Sequence, residues 1–144
     1  NMKVKQMGFT LVELLIALTI VGILTSIAYP HYVQYIQKAK RAEAQATLFS
    51  LASAMEQWRL ENNNEYTNAT LGSGASAIFA NQVPVNSSAT KTYSLSVVAD
   101  KTTYTLTATP VLPQDADECG TLTLNSTGIK GAKGVAPDTQ HCWE

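Results

Sequence analysis

A chain of 144 residues and 15.5 kDa has room for one folded core and little for a second. Ten Lys and Arg against eleven Asp and Glu leave a net charge of −1, which excludes the basic excess of a protein that coats nucleic acid. Charged residues make up 15% and apolar residues 45%, and the mean hydropathy of −0.03 suits an ordinary soluble domain until the uneven placing of the apolar residues is noticed.

From Phe9 to Tyr29 runs FTLVELLIALTIVGILTSIAY, in which Glu13 is the single charged residue. As a helix this segment is ~31 Å long, enough for a hydrocarbon core of about 30 Å, and it reads as a membrane helix. The preceding NMKVKQMG carries Lys3 and Lys5 and no acid. The positive-inside rule therefore puts that end in the cytoplasm and the chain beyond Tyr29 across the membrane. A cleaved secretory signal also has a basic start and an apolar run. Against it stand the length of the run, the lack of a small-x-small site at its end and the early acid. A central charged residue in a bilayer costs roughly 2.5–3.5 kcal/mol on insertion scales, so Glu13 needs a partner, a task or a place close enough to the interface to snorkel.

Gly8-Phe9-Thr10-Leu11-Val12-Glu13 resembles the type IV prepilin signature: a short basic leader ending in Gly, then Phe opening a long apolar helix with Glu at its fifth position. The resemblance continues through Pro30 into YPHYVQYIQKAKRAEAQATL, and the chain is identified as resembling a type IVa pilin. Type II secretion pseudopilins share the N-terminal motif. The resemblance implies cleavage after Gly8 by prepilin peptidase, N-methylation of Phe9, and neutralisation of an adjacent subunit's N-terminus by Glu13 during polymerisation. Methylation retains the new ammonium's charge, and a buried carboxylate is tolerable beside it. The expected organisation is a leader at 1–8, a membrane and polymerisation segment at 9–29, and a head at 30–144 that includes the amphipathic half of the helix. The expected location is a single-pass inner-membrane protein with a periplasmic head, then an extracellular pilus.

Gly22 is a weak helix former and Pro30 removes a backbone donor, so a bend or local melting is expected between them. Beyond Pro30, Ala44, Leu48, Leu51, Met55 and Trp58 recur at spacings of 4, 3, 4 and 3, a stripe that predicts packing on a sheet. Gln45, Ser53, Glu56, Gln57 and Arg59 fall on the wet face. Lys38, Lys40, Arg41 and Glu43 read as a solvated charged turn near headgroups or neighbouring subunits.

Asn62-Asn63-Asn64 ends the helix, and the Asn/Ser/Gly/Thr-rich stretch to about Thr90 reads as a long connection. YSLSVVA from Tyr93 and TYTLTAT from Thr103 alternate on either side of Asp100-Lys101 and predict a hairpin. Gly120–Leu124 supplies a third strand and Ile129-Lys130 begins a fourth after the turn at 125–128. The fold class is α+β: a long N-terminal helix packed on an antiparallel sheet of about four strands.

Cys119 and Cys142, the chain's two cysteines, lie on the non-cytoplasmic side and predict one disulfide, a bridge of ~3 kcal/mol closing the C-terminal region. CGTLTLNSTG followed by CW near the end is most like the minor-pilin subgroup that includes the competence pilin acting as a DNA-uptake receptor. From Tyr66 onward four lysines face six acids, a net of −2, which is poor material for a phosphate surface. Lys130 and Lys133, with Lys91 or Lys101, form the local patch that DNA contact would need. Asp115, Asp117 and Glu118 could start a calcium loop but lack its Gly turn and distal bidentate acid, and they read as a solvated acidic loop. Asn68-Ala-Thr70, Asn86-Ser-Ser88 and Asn125-Ser-Thr127 match the glycosylation triplet, as chance allows in so polar a chain. No catalytic constellation is present, so no enzyme, cofactor or metal is expected. Function is collective: adhesion, twitching motility or DNA uptake by a pilus subunit. The alternatives are a low-abundance DNA-receptor pilin and a secretion pseudopilin. Implied partners are other pilin subunits, the prepilin peptidase and methyltransferase, the inner-membrane assembly platform, and DNA or a host surface.

Overall fold

In the computed structural model, which describes residues 2–86 and 88–144, helix α1 spans Leu11–Glu61. Asn1 of the leader and Ser87 of the second glycosylation triplet lie outside the described residues. The chain divides into two compact units, one ending at Ile36 and one comprising Gln37–Glu144.

In the first unit α1 is helical through Gly22 and Pro30, so the local melting expected there is not present in the single chain. Thr19, Thr25 and Ser26 donate their hydroxyls to carbonyls three or four residues earlier, the usual way to place a polar side chain on an apolar helix. Every side chain from residue 2 to residue 32 is exposed. An 18-residue window of α1 has a mean hydropathy of 2.4, long and apolar enough to cross a membrane.

In the second unit the stripe is buried as expected: Ala44, Leu48, Leu51 and Met55 are fully inaccessible, and Trp58 is half-buried. The helix stops in a Schellman arrangement, with Asn63 at φ 52° and the Asn64 N–H donating to the Arg59 carbonyl at 2.9 Å.

The stripe meets a five-stranded antiparallel sheet ordered β3-β4-β5-β6-β7. Its strands are β3 (Gln82–Val83), β4 (Tyr93–Ala99), β5 (Tyr104–Pro110), β6 (Thr121–Asn125) and β7 (Lys130–Lys133). One face carries Val83, Tyr93, Leu95, Tyr104, Leu106, Ala108, Leu122 and Leu124 into the core. The other carries Ser94, Ser96, Thr105, Thr107, Thr109, Thr121 and Thr123, as alternation along each strand requires. The hairpin register runs from Tyr93 opposite Pro110 to Ala99 opposite Tyr104. Its turn is held by Asp100, whose Oδ1 accepts from the Thr102 and Thr103 N–H groups at 2.8 and 2.7 Å. Those two donors, joined by the Thr103 hydroxyl, hold the exposed Asp100 carboxyl below its usual range.

Two features of the head differ from the sequence expectation. The sheet has a fifth, two-residue strand, β3, and the connection before it also holds a parallel pair, β1 (Thr70–Leu71) and β2 (Ala77–Phe79). Strands of two or three residues are too short to display an alternation. The second difference concerns charge and bears on the site.

Candidate functional site

The N-terminal motif folds around its own helix start. Thr10 precedes the first helical residue, and Glu13 stands three positions on, the spacing of a capping box. The Thr10 N–H donates to Glu13 Oε2 at 3.1 Å, and the Glu13 N–H donates to Thr10 Oγ1 at 3.2 Å. The Thr10 hydroxyl makes a second contact to Oε2, at 3.3 Å. The signal for this box is the Thr-x-x-Glu spacing of Thr10 and Glu13 directly ahead of an apolar run. Because the box begins the helix at Leu11, the Gly8–Phe9 bond lies in irregular, fully exposed backbone. That is the state in which a protease engages a chain.

At the other functional end, the structure corrects two readings at once. Arg41, read as part of a solvated basic turn, and Asp117, read as part of a solvated acidic loop, form a buried ion pair. Arg41 Nη1 lies 2.7 Å from Asp117 Oδ1, with side chains 6% and 3% accessible. Gln114, in a 3-10 turn at 114–116, completes the clasp: its Nε2 donates to the Gln37 carbonyl at 2.9 Å and to the Tyr93 hydroxyl at 3.0 Å. Asp117 Oδ2 is buried without a partner among the described residues. Burial pushes the Tyr93 phenol up to about 12, with the Asp117 charge adding to it. At the other end of the sheet, Tyr66, which packs edge-on against Tyr104, is also pushed up to about 12 by burial and by donating to Glu56 Oε1 at 2.6 Å.

The expected Cys119–Cys142 disulfide is present, with Cα atoms 5.7 Å apart. It is flanked by His141 Nε2 and Glu118 Oε1 at 2.8 Å, so Asp117 and Glu118 have separate side-chain partners. Asp138 caps the short helix α2 (Thr139–Cys142) by accepting from the His141 N–H at 2.6 Å. The Gln45 amide donates to the Cys142 carbonyl, tying α1 to the C-terminal loop.

Lys130 and Lys133, the two lysines a local DNA-contact patch would need, do not share a face of the sheet. They are three residues apart on β7, opposite Leu124 and Thr121, and therefore on opposite faces of the sheet. Lys130 Nζ sits 5.6 Å from the Phe49 ring and 5.7 Å from the Trp143 ring, a cation–π arrangement on the helix side. The Trp143 indole N–H donates to the Gly131 carbonyl at 3.0 Å and so holds that ring against the edge strand. Lys101 is paired with Glu65 at 3.4 Å.

Comparison with known proteins accords with both ends. A profile for the prokaryotic N-terminal methylation motif matches residues 4–29. The chain is 37% identical over 59 residues to type II secretion system core protein G of Pectobacterium carotovorum subsp. carotovorum, which covers 41% of this chain and 38% of that protein. It is 47% identical over 51 residues to a fimbrial protein of Moraxella nonliquefaciens (35% and 30% covered). Against the type IV major pilin protein PilA of Myxococcus xanthus it is 36% identical over 59 residues (41% and 27% covered). It spans well under half the length of these curated relatives. The crystal structure of the Neisseria meningitidis non-core minor pilin PilV shares the fold, with a TM-score of 0.53 at 18% identity over 74% of this chain and 95% of that one. A profile described as "Type IV minor pilin ComP, DNA uptake sequence receptor" matches residues 30–123, well over half of the sequence, and the chain belongs to that family of type IV minor pilins.

Proposed function

We propose that this chain is a structural subunit of a type IV pilus, cleaved between Gly8 and Phe9, N-methylated at Phe9 and polymerised through residues 9–29. The observation that carries the reading is the first half of α1: an apolar helix with no buried side chain, whose Glu13 carboxylate has, among the described residues, its own helix cap alone for a partner. Such a surface is complete only in lipid or among other helices. Before assembly it anchors the chain in the inner membrane with the head on the periplasmic side, an orientation supported by Lys3 and Lys5. Prepilin peptidase and the assembly platform are the partners this route requires, and Glu13 neutralises the N-terminal ammonium of a neighbouring subunit. No step of it calls for enzymatic chemistry by the chain itself. The test is Glu13→Val in the full chain. It should insert into membranes and be cleaved normally yet be absent from sheared filaments, and normal incorporation would overturn the reading.

A DNA-receptor role is the second reading, favoured by the family's description. The head would engage DNA through Lys130 beside Phe49 and Trp143, with Lys133 contributing from the opposite sheet face. A salt-sensitive mobility shift that is lost in a Lys130→Ala, Lys133→Ala double variant supports it; a shift unchanged by that variant rejects these contacts.

A further inference from the structure

Between the last turns of α1 and the β1–β2 connection lies a groove of about 290 Å³, lined by Ala54, Gln57, Trp58, Glu61, Ser76 and Ile78 among others. It belongs wholly to the 37–144 unit and is separate from the capping box, the ion-pair clasp and the disulfide. We propose that this groove binds a neutral pyranose ring.

Size limits the occupant first. The volume is at the small end of ligand cavities, which run from roughly 300 to 1,000 Å³, and it suits a single saturated ring better than a nucleotide or a peptide segment. Chemistry narrows it further. A pyranose has apolar C–H faces and an edge of hydroxyls that both donate and accept. Trp58 supplies the apolar platform, and its position is fixed in advance: the indole N–H donates to the Thr67 carbonyl at 2.9 Å. The same carbonyl is held by Asn62 Nδ2 at 3.1 Å. A ring already locked loses little freedom when a ligand packs on it.

The polar edge matches as well. Gln57 and Glu61 stand one helical turn apart, with Nε2 and Oε1 3.5 Å from each other, a contact weak enough for a ligand hydroxyl to enter. Gln offers donors and an acceptor, Glu offers acceptors, and the Ser76 hydroxyl offers both. Ser76 is anchored across the groove: Thr70 Oγ1 donates to its carbonyl at 2.9 Å and lies 3.3 Å from its hydroxyl. Charge supplies the selection. Glu61 is the only ionisable residue among those lining the groove and no basic side chain does so, which disfavours uronic and sialic acids and phosphates. The site is thus chemically opposite to a DNA contact, and it does not depend on the subunit being in a filament.

The test uses the full chain in phosphocholine-headgroup micelles, since sugar-headed detergents would compete. Methyl glucopyranoside, methyl galactopyranoside and methyl N-acetylglucosaminide are titrated while the two tryptophan indole N–H resonances are followed by NMR, assigned with Trp143→Phe. The expected result is a saturable millimolar shift of the Trp58 resonance with at least one neutral sugar, and none at Trp143. Binding should weaken about tenfold in Gln57→Ala, the loss of one or two hydrogen bonds, and should disappear in Ala75→Trp, which fills the groove from the exposed loop. Glucuronic acid should bind at least about tenfold more weakly than its neutral counterpart. No saturable Trp58 shift with any of the three sugars, a shift unaffected by both variants, or equal binding of glucuronic acid would overturn the proposal.

Discussion

The two halves of α1 are apolar in different ways. Up to residue 32 the apolar residues go all round the helix and none is buried; from Arg41 a single stripe, Ala44, Leu48, Leu51 and Met55, is lost to solvent entirely, while Phe49 and Leu60 off that stripe stay exposed. A stripe is an instruction to fold against one's own chain, whereas all-round apolarity asks for lipid or for other chains. The carboxylates follow the same division. Asp117 finds its cation 76 residues away in the same chain, while Glu13 makes do with the N–H and hydroxyl of Thr10. Stability is therefore vested in the second half and, on the proposed route, assembly in the first.

That division is broken most severely by Glu13→Val, which should abolish incorporation and leave the melting of the head unchanged. Asp117→Ala should do the converse. It strands a buried guanidinium and should destabilise the head by about 3–5 kcal/mol, read by denaturant unfolding, without altering membrane insertion. The paired replacement Arg41→Met with Asp117→Leu should recover most of that loss, because the pair already leaves Oδ2 unsatisfied. Losing the disulfide, in Cys119→Ser with Cys142→Ser, should cost about 3 kcal/mol for a closure of 23 residues. The smallest effect is alkaline. Tyr66 and Tyr93 hold their protons to about 12 in the folded chain, against a usual phenol value of 10.0. The folded state thus binds more protons than the unfolded one within that window, so stability is intact below pH 10 and falls as the pH rises toward 12. Tyr93→Phe should flatten the fall in thermal midpoint across that range.

Much of this was legible in the sequence because it is periodic or local. The 4-3-4-3 spacing of the stripe, the alternation of Tyr93–Ala99 and Tyr104–Pro110, the Asn run at the helix end and the Gly-Phe junction all act over a few residues. The Arg41–Asp117 pair was hidden because each member sits in a local cluster of like charge that resembles a solvated turn. One signal was there: stepping three residues back from Ala44 along the stripe lands on Arg41. A charge in register with a buried stripe is itself destined for burial, and it needs a partner from elsewhere in the chain. The separation of the two lysines was hidden for the opposite reason. Lys130 and Lys133 are close in sequence, but a strand turns residues three apart to opposite faces. β1, β2 and β3 could not be seen because so short a strand is defined by what it pairs with.

The cap at Thr10 has a thermodynamic corollary for the filament proposed above. A carboxylate held ready and unbonded would bind an incoming ammonium with the full strength of a new contact. In the filament proposed above, the Glu13 carboxylate would instead release its two contacts from Thr10 to take one up, so addition of a subunit would exchange partners and its driving force would be a difference between two bonded states. A filament joined by such exchanges sits nearer to equilibrium with its membrane reservoir, and a modest input of work can run it in either direction.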